Sequence, residues 1–110
     1  MPYFMSQWSY VAAEVRALID KPQNRADVVA KAIEAFGGKL HQFYFTFGEF
    51  DGVAISEFPD KGTALACFMT FAGEGGLKSF RTTALLTPEE SNHSMEIARK
   101  VFSNYKPPSG

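Results

Sequence analysis

The sequence predicts an α+β domain of the βαββαβ, ferredoxin-like kind with an extra C-terminal helix, and three observations carry that expectation. Apolar residues recur at helical spacing in some segments and crowd into short aromatic-rich runs in others. Those segments follow one another as strand, broken helix, strand, strand, helix, strand, helix. A short Gly-flanked connection, Gly48-Glu49-Phe50-Asp51-Gly52, joins the two middle strands as a hairpin. Two right-handed β-α-β crossovers linked in this way close a four-stranded antiparallel sheet with its helices on one face.

Residues 3–9 interleave aromatics and Met with Ser and Gln and read as the first strand. From Val11 the period changes, with Val11, Val15, Leu18 and Ile19 at helical spacing until Asp20-Lys21-Pro22 interrupts them. A second helix is expected over residues 25–36, capped by Asn24, with Asp27 near its first turn and Val28, Val29, Ala32, Ile33 and Phe36 on one face. Gly37-Gly38 ends it. Strands follow at residues 39–47 and 52–58. Asp60 can cap the next helix, whose apolar stripe reads as Ala64, Leu65, Phe68, Met69 and Ala72, leaving Cys67 off the stripe. Gly73, Gly75 and Gly76 stop that helix, and residues 77–86 form the fourth strand. Thr87-Pro88-Glu89-Glu90 is a capping box with Pro at the first helical position. The last helix carries Ser94, Ile97, Ala98, Val101, Phe102 and Tyr105 along one stripe. Residues 1–105 are thus expected to form one domain, and residues 106–110 a flexible tail.

With 110 residues, 45% of them hydrophobic and 11 of them Phe, the chain carries more apolar surface than one small domain usually buries. The middle strands make this specific. His41, Phe43, Phe45 and Phe47 form one parity and Leu40, Gln42, Tyr44 and Thr46 the other. Val53, Ile55 and Glu57 oppose Ala54, Ser56 and Phe58, and Phe4, Ser6, Trp8 and Tyr10 oppose Tyr3, Met5, Gln7 and Ser9. Both faces hold large side chains, and helices can cover only one. A second copy of the chain, placed about a two-fold axis, is the expected cover, giving a homodimer or a higher oligomer.

Net charge is −1, and no basic stripe marks nucleic acid or an anionic membrane as a partner. The N-terminus lacks the basic and apolar regions of a signal peptide, no apolar run reaches membrane-span length, and Cys67 has no second cysteine to pair with. A cytoplasmic location is expected. The βαββαβ order also occurs in RNA-recognition domains, but Asp51 precedes Gly52 where a basic residue is needed, and Val53 and Ile55 stand where bases would stack on aromatics. Gly73-Glu74-Gly75-Gly76 follows a helix rather than a strand, so it reads as a chain stop and not a phosphate loop.

Gly37-Gly38-Lys39-Leu40, Phe43-Tyr44, Gly48-Glu49-Phe50-Asp51 and Glu57-Phe58-Pro59-Asp60, with Tyr10, Pro22, Arg25, Thr87 and Glu90, resemble the GYD-domain family. The resemblance spans roughly residues 3–100. That family is named for a Gly-x-Tyr-Asp-like motif at the hairpin; here Phe50 stands in place of its Tyr, and Ser79 where an Arg is expected. The resemblance implies small bacterial or archaeal proteins of the dimeric α+β-barrel group, with no established biochemical activity.

Candidate site residues follow from residue chemistry. Trp8, Gln42 and Tyr44 combine apolar wall with polar handle and suit a small-ligand pocket, though they suit core and interface as well. Asp51 is a ligand-facing carboxylate or a turn residue that bonds its own backbone. Glu57 alternates with Val53 and Ile55, and Arg81 is its candidate partner, either for a ligand group or as a structural ion pair. His41 and His93 lack metal-ligand spacing, so no metal and no cofactor are expected, and Cys67 reads as a bystander thiol. The leading functional expectation is an oligomer that binds a small hydrophobic or organic molecule at the sheet. The alternatives are a cofactor-independent enzyme, monooxygenase- or isomerase-like, using His41, Tyr44, Glu57 or Arg81, and a structural assembly subunit.

Overall fold

The computed structural model describes residues 1–101 and 104–109. The elements are β1 (Tyr3–Tyr10), α1 (Ala12–Asp20), α2 (Arg25–Ala35), β2 (Lys39–Phe45), β3 (Gly52–Glu57), α3 (Lys61–Gly73), β4 (Leu77–Leu85) and α4 (Pro88–Val101). The strands form one antiparallel sheet in the order β2-β3-β1-β4. This is the α+β, ferredoxin-like arrangement the alternation of strands and helices predicts.

Local chemistry sets the element ends. Asn24 accepts from the Asp27 amide at 3.3 Å, and Asp60 from the Thr63 amide at 2.7 Å. Both satisfy donors that a helix start leaves open. At the end of α2, Gly38 donates to the Ile33 carbonyl and Gly37 to that of Glu34, with Gly37 at φ 77°. That is a Schellman stop, and it needs a residue tolerant of the left-handed region. Thr87 and Glu90 satisfy each other's amides, at 2.9 and 3.1 Å, as the capping box requires.

The core lies between the sheet and helices α2 and α3. Phe4, Ile33, Phe58, Ala64, Cys67 and Phe68 are buried there, with Val29, Phe36, Leu40, Phe71 and Phe80 packed around them. Phe4, Phe58 and Phe68 meet edge to face at 5.3–6.2 Å, the geometry favoured by aromatic quadrupoles.

Two expectations are corrected. The single parity read along β2 breaks at a bulge between Leu40 and Gln42. The extra residue puts Leu40, Phe43 and Phe45 opposite Ser56, Ala54 and Gly52, and Gln42 and Tyr44 opposite Ile55 and Val53. In α3, Cys67 is buried in the core, whereas Leu65 and Met69 are mostly exposed. Residues Ala64 to Met69 are apolar without interruption, so periodicity there has no polar side from which to take its phase.

Helices α1 and α4 bury no residue. Ile97, Val101 and Tyr105 of the stripe expected on the last helix and beyond are exposed. Phe102 and Gly110 lie outside the described residues. The molecule measures 59 × 34 × 22 Å, with a radius of gyration of 17.8 Å where a compact chain of this length has about 13 Å.

Candidate functional site

The two sheet faces differ in chemistry, and the difference follows from strand parity. On the helix-covered face, Phe4, Ser6 and Trp8 of β1 lie beside Ala54, Ser56 and Phe58. A cleft of about 450 Å³ opens there. Its floor is Ser6, Trp8, Ala54 and Ser56 on the sheet, with Leu77 and Phe80 of β4 at the side. Val28, Val29 and Ile33 of α2 and Phe68 and Phe71 of α3 form the wall and roof. Glu14, Arg25 and Glu74 also line it. These three belong to the end of the domain where β1 finishes, α2 begins and α3 ends. Charge is thus confined to one end of a largely apolar space.

Ser6 and Ser56 are the unusual groups. They are 5% and 2% exposed, and neither hydroxyl has a hydrogen-bond partner among the described residues. A buried hydroxyl left unpaired costs about 1–3 kcal/mol, and both of these residues line the one cleft.

Trp8 is 7% exposed and owes its position to Gly52. A Cβ on Gly52 would lie 2.3 Å from the indole Cζ2, so only glycine lets the ring lie against β3. Phe43 supports the ring from the other side at 5.3 Å.

The hairpin motif braces this end of the site. The Asp51 carboxylate accepts from the Tyr10 amide at 2.9 Å, and the Asp51 amide donates to the Trp8 carbonyl at 2.7 Å. Thr46 donates its amide to the Asp51 carbonyl at 2.8 Å and its hydroxyl to the Phe50 carbonyl at 2.7 Å. The Asp51 carboxylate therefore bonds the backbone of β1 rather than that of its own turn, and holds the strand end from which Trp8 and Tyr10 reach the cleft.

The other sequence candidates share the opposite face. Across the sheet, Tyr44, Val53, Gln7 and Arg81 form one row and Gln42, Ile55, Met5 and Thr83 the next. Arg81 stands over the Phe50 ring at 5.4 Å. Glu57 pairs with His41, Nε2 to Oε1 at 2.8 Å, and not with Arg81. Tyr3 stacks on the same imidazole at 5.2 Å. The Glu57 charge beside it, with some desolvation and a hydrogen bond to the same carboxylate, raises the Tyr3 phenol above its usual range. Of the six candidates, then, Trp8 lines the cleft, Asp51 braces it, and Gln42, Tyr44, Glu57 and Arg81 lie on the uncovered face.

Reasoning from sequence did not single out Ser6 and Ser56. Their signal was present, since each is a small polar residue at an inward position of a strand whose other inward residues are apolar. Cys67 is chemically quiet, because burial pushes its thiol up to about 11. Among the described residues no cluster of three or more His, Cys, Asp or Glu is placed to hold a metal. No described helix is long and apolar enough to cross a membrane.

Compared with known families, residues 4–95 match the model of the GYD domain. A comparison with functionally curated proteins finds no match.

Proposed function

The chain belongs to the GYD-domain family, and from its cleft we propose that it is a binding module that shelters a small organic molecule between sheet and helices. The carrying observation is the cleft itself: about 450 Å³, walled by Trp8, Val29, Phe68 and Phe80, with two unpaired hydroxyls on its floor. Size and lining are those of small-ligand sites, apolar with a few polar handles. Binding is favoured over catalysis because His41, Tyr44, Glu57 and Arg81, the acid/base candidates, lie on the opposite face of the sheet.

Trp8 is the only tryptophan in the chain, so its indole N–H resonance reports the cleft alone. Titration of the ¹⁵N-labelled protein with naphthalene is expected to shift that resonance saturably. Val28→Phe, a change at a largely exposed position of the wall, is expected to abolish the shift while leaving the rest of the spectrum intact. A Trp8 resonance indifferent to every apolar probe would overturn the reading.

The same reading makes the protein an oligomer of itself. Its surface is 7960 Å², whereas a compact folded chain of this mass exposes about 6,000 Å². The excess, about 1,900 Å², is more than the roughly 800 Å² each partner contributes to a standard interface. A second copy seated on the uncovered face, over Tyr3, Met5, Val53 and Ile55, supplies the missing cover, and α4 is free to reach across it. Native mass spectrometry of the full chain is expected to give a dimer or larger, and a strict monomer would sink this part of the proposal.

A further inference from the structure

We infer that the cleft selects an uncharged, flat, largely apolar molecule, a phenol or an aryl ketone in chemical class, whose oxygen meets Ser6 and Ser56. This rests on the cleft being a ligand site, as proposed above, and adds which chemistry it takes. Ser6 pairs with Ala54 across β1 and β3, and Ser56 is the next inward residue of β3. The two hydroxyls therefore flank a single methyl group, and that small side chain leaves room above the sheet between them. Both residues are more than nine-tenths buried, and neither hydroxyl has a partner among the described residues.

The head group must be neutral for a reason of solvation. A carboxylate or ammonium carried to this floor would lose its water and gain only hydroxyl dipoles, since no charged side chain lies on the floor. A carbonyl or hydroxyl loses far less. A serine hydroxyl rotates to donate or accept, so it serves either kind of oxygen. The walls settle the shape of the body. Trp8 lies close against β3 where Gly52 has no Cβ, and Phe68 and Phe80 stand edge to face at 5.7 Å, so rigid rings bound the space. Glu14, Arg25 and Glu74, at the other end, present two carboxylates to one guanidinium, a net negative charge that gives an anionic ligand no advantage.

The test follows the Trp8 indole resonance of the full chain through titrations with 2-naphthol, 2-acetonaphthone, naphthalene and 2-naphthoate. Naphthol and the ketone are expected to bind at least tenfold more tightly than naphthalene, and naphthoate more weakly than either. In the Ser6→Ala/Ser56→Ala protein the oxygen-bearing probes are expected to fall to the affinity of naphthalene, which itself should not change. Each substitution removes a group without a partner, so the variant should fold, and unshifted amide resonances away from the cleft would verify it. If naphthoate binds as well as naphthol, or if the double variant keeps the preference, this inference is overturned while the binding module stands. If no probe binds, both fall.

Discussion

Gly52 and Trp8 fit together so closely that one methyl group separates a formed cleft from a distorted one. With a Cβ at 2.3 Å from the indole, Gly52→Ala must displace the ring, and overpacking of this kind costs about 1–3 kcal/mol. The expected readout is a lower urea midpoint with a red-shifted Trp8 emission, reflecting an indole moved toward water. Phe58 is fully buried among Phe4 and Phe68. Phe58→Ala should therefore cost about 3–5 kcal/mol, read from the same denaturation curves. Asp51 acts on the end of β1. Asp51→Ala leaves the Tyr10 amide without its carboxylate acceptor, and faster hydrogen exchange at that amide is the expected consequence. Serines 6 and 56 show where reading by residue type fell short. A serine in a strand attracts no attention until the structure shows that none of the described residues pairs with it.

Among the elements, helix starts were the most legible features, because a cap is a local bond between a few consecutive residues. The caps at Asn24, Asp60 and Thr87 all form as their sequences require. The α3 cap also carries a pH dependence. The Thr63 amide, donating to Asp60, lowers that carboxyl from its ordinary 3.8. Its contribution is present in full above the ordinary value and is lost as pH falls through the lowered folded value. Asp60→Asn keeps the cap but removes the charge, so its stability should fall less steeply in that acid window, measured by urea denaturation at successive pH values. The bulge in β2 and the phase of α3 were not legible. The bulge is a choice of pairing with β3, and α3 is apolar around so much of its circumference that only packing decides which face turns inward.

Across the whole molecule, no described helix covers the second face of the sheet, and α4 buries no residue. Met5, Val53 and Ile55 lie half-buried on that face with Tyr44 exposed beside them, and α4 leaves Met95, Ile97 and Val101 in water. Ile55→Lys puts a charge in the middle of the uncovered face. If a second copy sits there, the variant should shift the native mass distribution toward monomer with its secondary structure preserved. An unchanged oligomer would place the contact elsewhere. Ile97→Asp tests α4 in the same way and separates the helix from the sheet as the source of the contact.

Sequence by itself determined the order of the elements, the caps at Asn24, Asp60 and Thr87, the hairpin and the excess of apolar surface, because each depends on residues close together in the chain or on composition. It also carried the family resemblance, since that motif is a contiguous hairpin. Only the tertiary structure decided which parity of each strand faces the helices, that His41 rather than Arg81 meets Glu57, and that Ser6 and Ser56 line one cleft. Those are outcomes of register and packing between segments far apart in the chain, and a bulge of one residue is enough to reassign a side chain from one face to the other.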